Sequence, residues 1–90
     1  MRKHGRVDKN QASIVKALRQ AGATVTLLSA VGGGVPDLIA GFRKKNYLVE
    51  IKGDKGKLTP DQEVWHEEWK GQVAIVRTEE EGLKLIGRIK

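Results

Sequence analysis

The chain has 90 residues, with 17 Lys and Arg against 11 Asp and Glu, a net charge of +6. It contains no cysteine, which excludes a disulfide framework and a thiolate metal site. The length suits a single domain, residues 1–90. No apolar run approaches the ~20 residues that cross a bilayer, and the charged start MRKHGR has no apolar segment behind it, so a cytoplasmic protein is expected.

Residues 1–6 read as a basic arm. A first helix is expected over 8–20. Asp8 and Gln11 form a D-x-x-Q cap, Ile14, Val15 and Leu18 an apolar stripe, and Gly22 a stop. Residues 23–29 (ATVTLLS) are rich in β-branched side chains and read as a strand; 31–36 (VGGGVP) read as a loop. Residues 37–42 and 47–52 read as two strands of a hairpin joined by 43–46, followed by a Gly- and Lys-rich loop, 53–58. Thr59-Pro60-Asp61-Gln62 opens the next helix, with Thr59 as N-cap, Pro60 at the first helical position and Gln62 closing a capping box. Gly71 stops it. Residues 73–76 form a fourth strand, and Thr78 with Glu81 caps a short last helix to about residue 86. The order αβββαβα implies an α/β (α+β) sandwich on a mixed sheet.

The basic residues cluster in 1–20 and 43–57, which suggests a polyanion-binding surface. With only Phe42, Tyr47, Trp65 and Trp69 as aromatics, a platform for stacking single-stranded bases is disfavoured.

Asp37, Glu50 and Lys52 stand out because they interrupt segments that otherwise read as buried strands, PDLIAGF and YLVEIKG. A buried charge costs several kcal/mol unless paired or bound to a metal. If Arg43 pairs with Asn46, then Asp37 lies opposite Lys52 and Ile39 opposite Glu50. Strand alternation puts these four on one face, and Leu38, Ala40, Phe42, Val49 and Ile51 on the other. Two neighbouring carboxylates repel unless a cation lies between them. Oxygen ligands select hard ions such as Mg²⁺ or Mn²⁺, and a lysine beside them can stabilise charge developing on a phosphate. The plainer reading is an Asp37–Lys52 cross-strand ion pair with Glu50 in solvent. A second D/E-x-K triplet, Glu68-Trp69-Lys70, falls on a helix and reads as chance.

Pro36-Asp37 followed by Glu50-Ile51-Lys52 resembles the PD-(D/E)XK nuclease signature. The flanking text, GGGVPDLI, LVEIKG and LTPDQ, resembles the virus-type replication-repair nuclease (VRR-NUC) domain over about residues 7–77. The resemblance implies an αβββαβ nuclease core with a short C-terminal helix, Mg²⁺ or Mn²⁺ as cofactor, and DNA cleavage. It implies Asp37 and Glu50 as metal ligands with the Ile51 carbonyl, and Lys52 as the catalytic lysine. The family usually places an acid on the first helix; Asp8 is the candidate, with Gln11 on the same stripe, although Asp8 equally reads as a plain N-cap. Gln62 matches a family glutamine that can reach the site or merely close its capping box. The resemblance extends to Holliday-junction resolvases and so implies a homodimer acting on branched DNA, in a phage or prophage setting.

The remaining candidates are DNA contacts: Lys44, Lys45, Lys55, Lys57 and Arg6 toward phosphates, the Gly33-Gly34 backbone, and Ser29. Each also has a plain reading, as a solvated loop charge, a flexible turn or a strand end. Gly32-Gly33-Gly34 is not a nucleotide-binding P-loop, since no Gly-Lys-Ser/Thr follows, so no nucleotide cofactor is expected. Trp65 and Trp69, four apart on one helix, read as core or dimer interface. His4 and His66 read as isolated, His66 as a surface residue. Two readings outside the resolvase class remain: a monomeric nicking or flap nuclease, and a non-catalytic basic DNA-binding module.

Overall fold

The computed structural model describes residues 9–90. Asp8, Arg6, His4 and the basic arm lie outside the described residues. The elements are α1 (Lys9–Gln20), β1 (Thr24–Leu27), β2 (Leu38–Phe42), β3 (Lys45–Ile51), α2 (Pro60–Glu68), β4 (Ala74–Val76) and α3 (Glu79–Leu85). The strands form one sheet in the order β1-β2-β3-β4. The first two pairings are antiparallel and β3–β4 is parallel, with α2 in the crossover. The expected order of elements and the mixed sheet are both present.

The hydrophobic core lies on one face of this sheet. Val25, Leu38, Ala40, Val49, Ile51 and Val76 meet Ile14, Val15 and Leu18 of α1, with Ile86 closing the end of α3. α1 packs against α3 and β1, so one helical layer covers this face. Alternation then puts Ile39, Leu48 and Glu50 on the opposite face. α2 buries none of its own residues, so it adds nothing to the main core. Its place is over the other face.

The hairpin register differs from the expected one. Leu38 pairs with Val49, where a 43–46 connection would pair it with Ile51, and Phe42 pairs with Lys45. The turn is only Arg43-Lys44, and both residues are left-handed, at φ 54° and 70°. Two left-handed residues make the primed two-residue turn whose twist matches the flanking strands. That match carries the ladder two residues further, to Lys45. The usual Asn-Gly signature is absent; Arg43 instead lays its guanidinium over the Phe42 ring, 4.8 Å from the centroid. The shift is even, so every side chain keeps its expected face.

Both halves of the Thr59–Gln62 capping box are present. At α3 the Thr78 hydroxyl accepts from Glu81 N–H at 3.1 Å. The Glu81 carboxylate accepts from Arg77 N–H at 2.6 Å, one residue earlier than a capping box requires. Trp65 and Trp69 stack on each other with centroids 4.7 Å apart. Trp69 is 43% exposed, so the pair is not core. The helix ends at Glu68, before Gly71, with Trp69 as its C-cap.

Candidate active site

The three charged strand residues gather where β2 begins and β3 ends. Continuing the observed register by one step puts Asp37 opposite Glu50, where the expected register had put Lys52. The observed register thus does not set Asp37 opposite Lys52, as the expected one did. Asp37 Oδ2 accepts from the Ile51 N–H at 2.7 Å. This bond fixes the carboxylate to the backbone of the residue whose carbonyl is the third candidate ligand.

Glu50 is 1% exposed, not solvated as the plainer reading requires. Its cover comes from α2. Gln62 uses both ends of its amide: Oε1 accepts from Thr59 N–H at 2.9 Å, and Nε2 donates to Glu50 Oε2 at 3.2 Å. The two roles left open for Gln62 are held together. One turn further on, His66 Nε2 lies 3.8 Å from Glu50 Oε1, and the His66 side chain is only 14% exposed. His66 is not a surface residue. Burial and then the charge of Lys52 hold its pKa below the ordinary value. Both effects favour the neutral imidazole beside Glu50. Lys52 lies two residues past Glu50, so strand alternation puts it on the same side of the sheet.

The strand ends are held from the other side. Asn10 of α1 donates through Nδ2 to the carbonyls of Lys52 at 2.8 Å and Arg77 at 3.1 Å. Lys52 N–H donates to Val76 O at 3.1 Å, extending the parallel pairing past Ile51. The residue of α1 that reaches the site's backbone is thus Asn10. Gln11 is also buried, but lines a groove of about 640 Å³ between α1 and β1 with Val15, Arg19 and Leu27. That groove holds neither Asp37 nor Glu50.

Lys55 and Lys57 are exposed in the turn after Lys52, while Lys44 and Lys45 are exposed at the far end of the hairpin. Ser29 is exposed in a turn. Gly33 and Gly34 have positive φ, 68° and 86°, and a Cβ on Gly34 would collide with the Asp61 backbone. The glycine thus lets the loop before Asp37 close against the first turn of α2. Sequence reasoning missed Asn10, His66 and Arg77. The spacing Gln62-x-x-x-His66 was the available signal for His66, since residues four apart share a helix face.

Asp37, Glu50 and the Ile51 carbonyl would together supply only oxygen donors, the chemistry that fits a hard divalent cation. Among the described residues no group of three or more His, Cys, Asp or Glu is spaced to hold a metal. A buried carboxylate with a second one nearby in the chain fold is a charge arrangement that a cation would relieve. No helix among the described residues is long and apolar enough to cross a membrane.

The VRR-NUC domain family model matches residues 4–79. A solved structure described as a VRR_NUC domain superposes with a TM-score of 0.71 and 27% identity, covering 91% of this chain and 95% of that one. No curated protein matches the chain. The family match spans most of the chain, including Asp37, Glu50, Lys52 and Gln62, and the similar fold covers nearly all of it; the chain belongs to the VRR-NUC family, a nuclease-type domain.

Proposed function

We propose that the protein is a Mg²⁺- or Mn²⁺-dependent DNA endonuclease, selective for branched DNA and active as a homodimer. The observation that carries the chemistry is Glu50: a carboxylate buried to 1% exposure at the end of β3 and held by Gln62. Asp37, Glu50 and the Ile51 carbonyl would hold the cation. When bound, it supplies a Lewis acid for the phosphate and a more acidic water. Asp37 is kept in place by the Ile51 N–H, and Glu50 by Gln62. Lys52 presents an ammonium to the phosphate oxygens, where negative charge builds as water attacks phosphorus and the bond to the leaving sugar oxygen breaks. The exposed lysines add backbone affinity without sequence readout.

Selectivity for DNA structure is supported by size: a 90-residue chain has little surface for reading bases. The dimer rests on symmetry, since paired cuts on a two-fold junction need two sites related by a two-fold axis. The test incubates the protein with a fixed four-way junction and a matched linear duplex, in Mg²⁺, Mn²⁺ or EDTA, beside Lys52→Ala and Asp37→Ala. Metal-dependent paired cuts on the junction alone, absent in both variants, are expected. Equal cutting of both substrates would discard the structural selectivity, and no cutting of either would discard the nuclease.

A further inference from the structure

The geometry points to Arg77 as a positioning residue that builds the turn after Lys52 into a preformed phosphate-binding element. This rests on the nuclease reading, because it takes DNA as the ligand. Arg77 lies one residue past β4 and is half-buried. Its Nη1 donates to Gly53 O at 2.6 Å and Gly56 O at 2.8 Å, and reaches Asp54 O at 3.5 Å. Gly56 N–H closes the turn on Gly53 O at 3.1 Å. Three carbonyls of residues 53–56 therefore converge on one guanidinium.

This convergence has an electrostatic result. Carbonyl oxygens repel phosphate, and here they are drawn inward onto a fixed cation. The outer surface of the turn is left to Lys55 and Lys57, both exposed, with Asp54 as the one exposed acid. The turn begins at the residue after Lys52, and Asn10 ties the Lys52 and Arg77 carbonyls together. The anchor, the catalytic lysine and the outer lysines thus share one frame. All three carbonyls are reached by Nη1 alone, so a lysine at 77 would keep the charge but carry it on a side chain one bond shorter, short of the point where the carbonyls meet.

The test measures binding of a labelled duplex by anisotropy in EDTA, over a salt series, for wild type, Arg77→Ala, Arg77→Lys, the double variant Lys55→Ala/Lys57→Ala, and the triple variant combining the double with Arg77→Ala. The Lys55/Lys57 double variant should lower the salt slope by about 1.8, the value for two phosphates. Arg77→Ala should weaken binding about tenfold, and the triple variant should be weaker by clearly less than the product of the two losses, as coupled sites require. Arg77→Lys should behave as Arg77→Ala. Without DNA, amides 53–57 should exchange faster in both Arg77 variants while those of Ile14 and Leu18 stay protected, showing a folded protein with a loosened turn. Multiplicative losses, wild-type binding by Arg77→Ala, or full rescue by Arg77→Lys would overturn the positioning role while leaving the nuclease reading intact. A wild-type protein that binds no duplex at low salt would remove both.

Discussion

Gln62 holds two hydrogen bonds that a pair of substitutions can separate. Gln62→Glu keeps an acceptor for the Thr59 N–H, so the capping box survives. It removes the donor to Glu50 Oε2 and sets a second carboxylate against a buried one. A hydrogen bond to a charged group contributes about 1.5–3 kcal/mol. At about 4–8 °C per kcal/mol for a domain of this size, Gln62→Glu should lower Tm by roughly 6–24 °C. Thr59→Ala does the reverse: it loses the hydroxyl that accepts from Gln62 N–H and leaves the bond to Glu50. The usual cost of an N-cap is about 1 kcal/mol, or roughly 4–8 °C. Thermal unfolding by circular dichroism at pH 7 in EDTA compares the two. Adding Mg²⁺ should then raise the Tm of Gln62→Glu more than that of wild type, because a cation relieves the added repulsion. A loss in Gln62→Glu no greater than that in Thr59→Ala would refute the reasoning and reduce Gln62 to a helix cap.

Two further outcomes follow from local geometry. Lys44 sits at φ 70° in the hairpin turn, so Lys44→Gly should stabilise the fold by about 1 kcal/mol by removing left-handed strain; a lower denaturant midpoint would contradict the turn as described. His66 has its pKa lowered by burial and by Lys52, so near its ordinary pKa the unfolded chain binds a proton that the folded chain does not. That contribution to stability is present above about pH 6.5 and is lost as pH falls through it. In EDTA, wild type should lose more stability between pH 7 and pH 5 than His66→Gln, and parallel pH profiles would speak against a half-buried imidazole that resists protonation.

The sequence carried the sheet faces and the Asp37–Glu50–Lys52 cluster because both depend on the period of two, which an even register shift leaves unchanged. It did not carry the register itself. Arg43 and Lys44 lack the residues that mark a primed turn, and only the pairing of complete strands forces them left-handed. The Thr59 cap was legible because it is local. The second role of Gln62 was not, since it needs α2 to lie over Glu50. Asn10 and Arg77 gave no pattern at all: their partners are carbonyls, which look alike at every position of a sequence. His66 was misplaced for a related reason: its side chain is half-covered because it reaches Glu50 on the sheet, a contact that no pattern within α2 announces.

The hairpin also acts as a ruler. Glu50 and Lys55 stand near one end of β3 and Lys44 and Lys45 at the other, with the strand Lys45–Ile51 between them. From Glu50 to Lys45 this separation is about 17 Å at the rise of an extended strand. Successive phosphates along one strand of a duplex are about 3.4 Å apart along its axis. A duplex lying along the hairpin would therefore meet the turn lysines about five base pairs from the phosphate at Glu50, nearly half a helical turn away. On the proposed reading the two basic clusters could not serve the same phosphates: one would grip DNA at the point of cleavage, and the other would set how far the footprint extends.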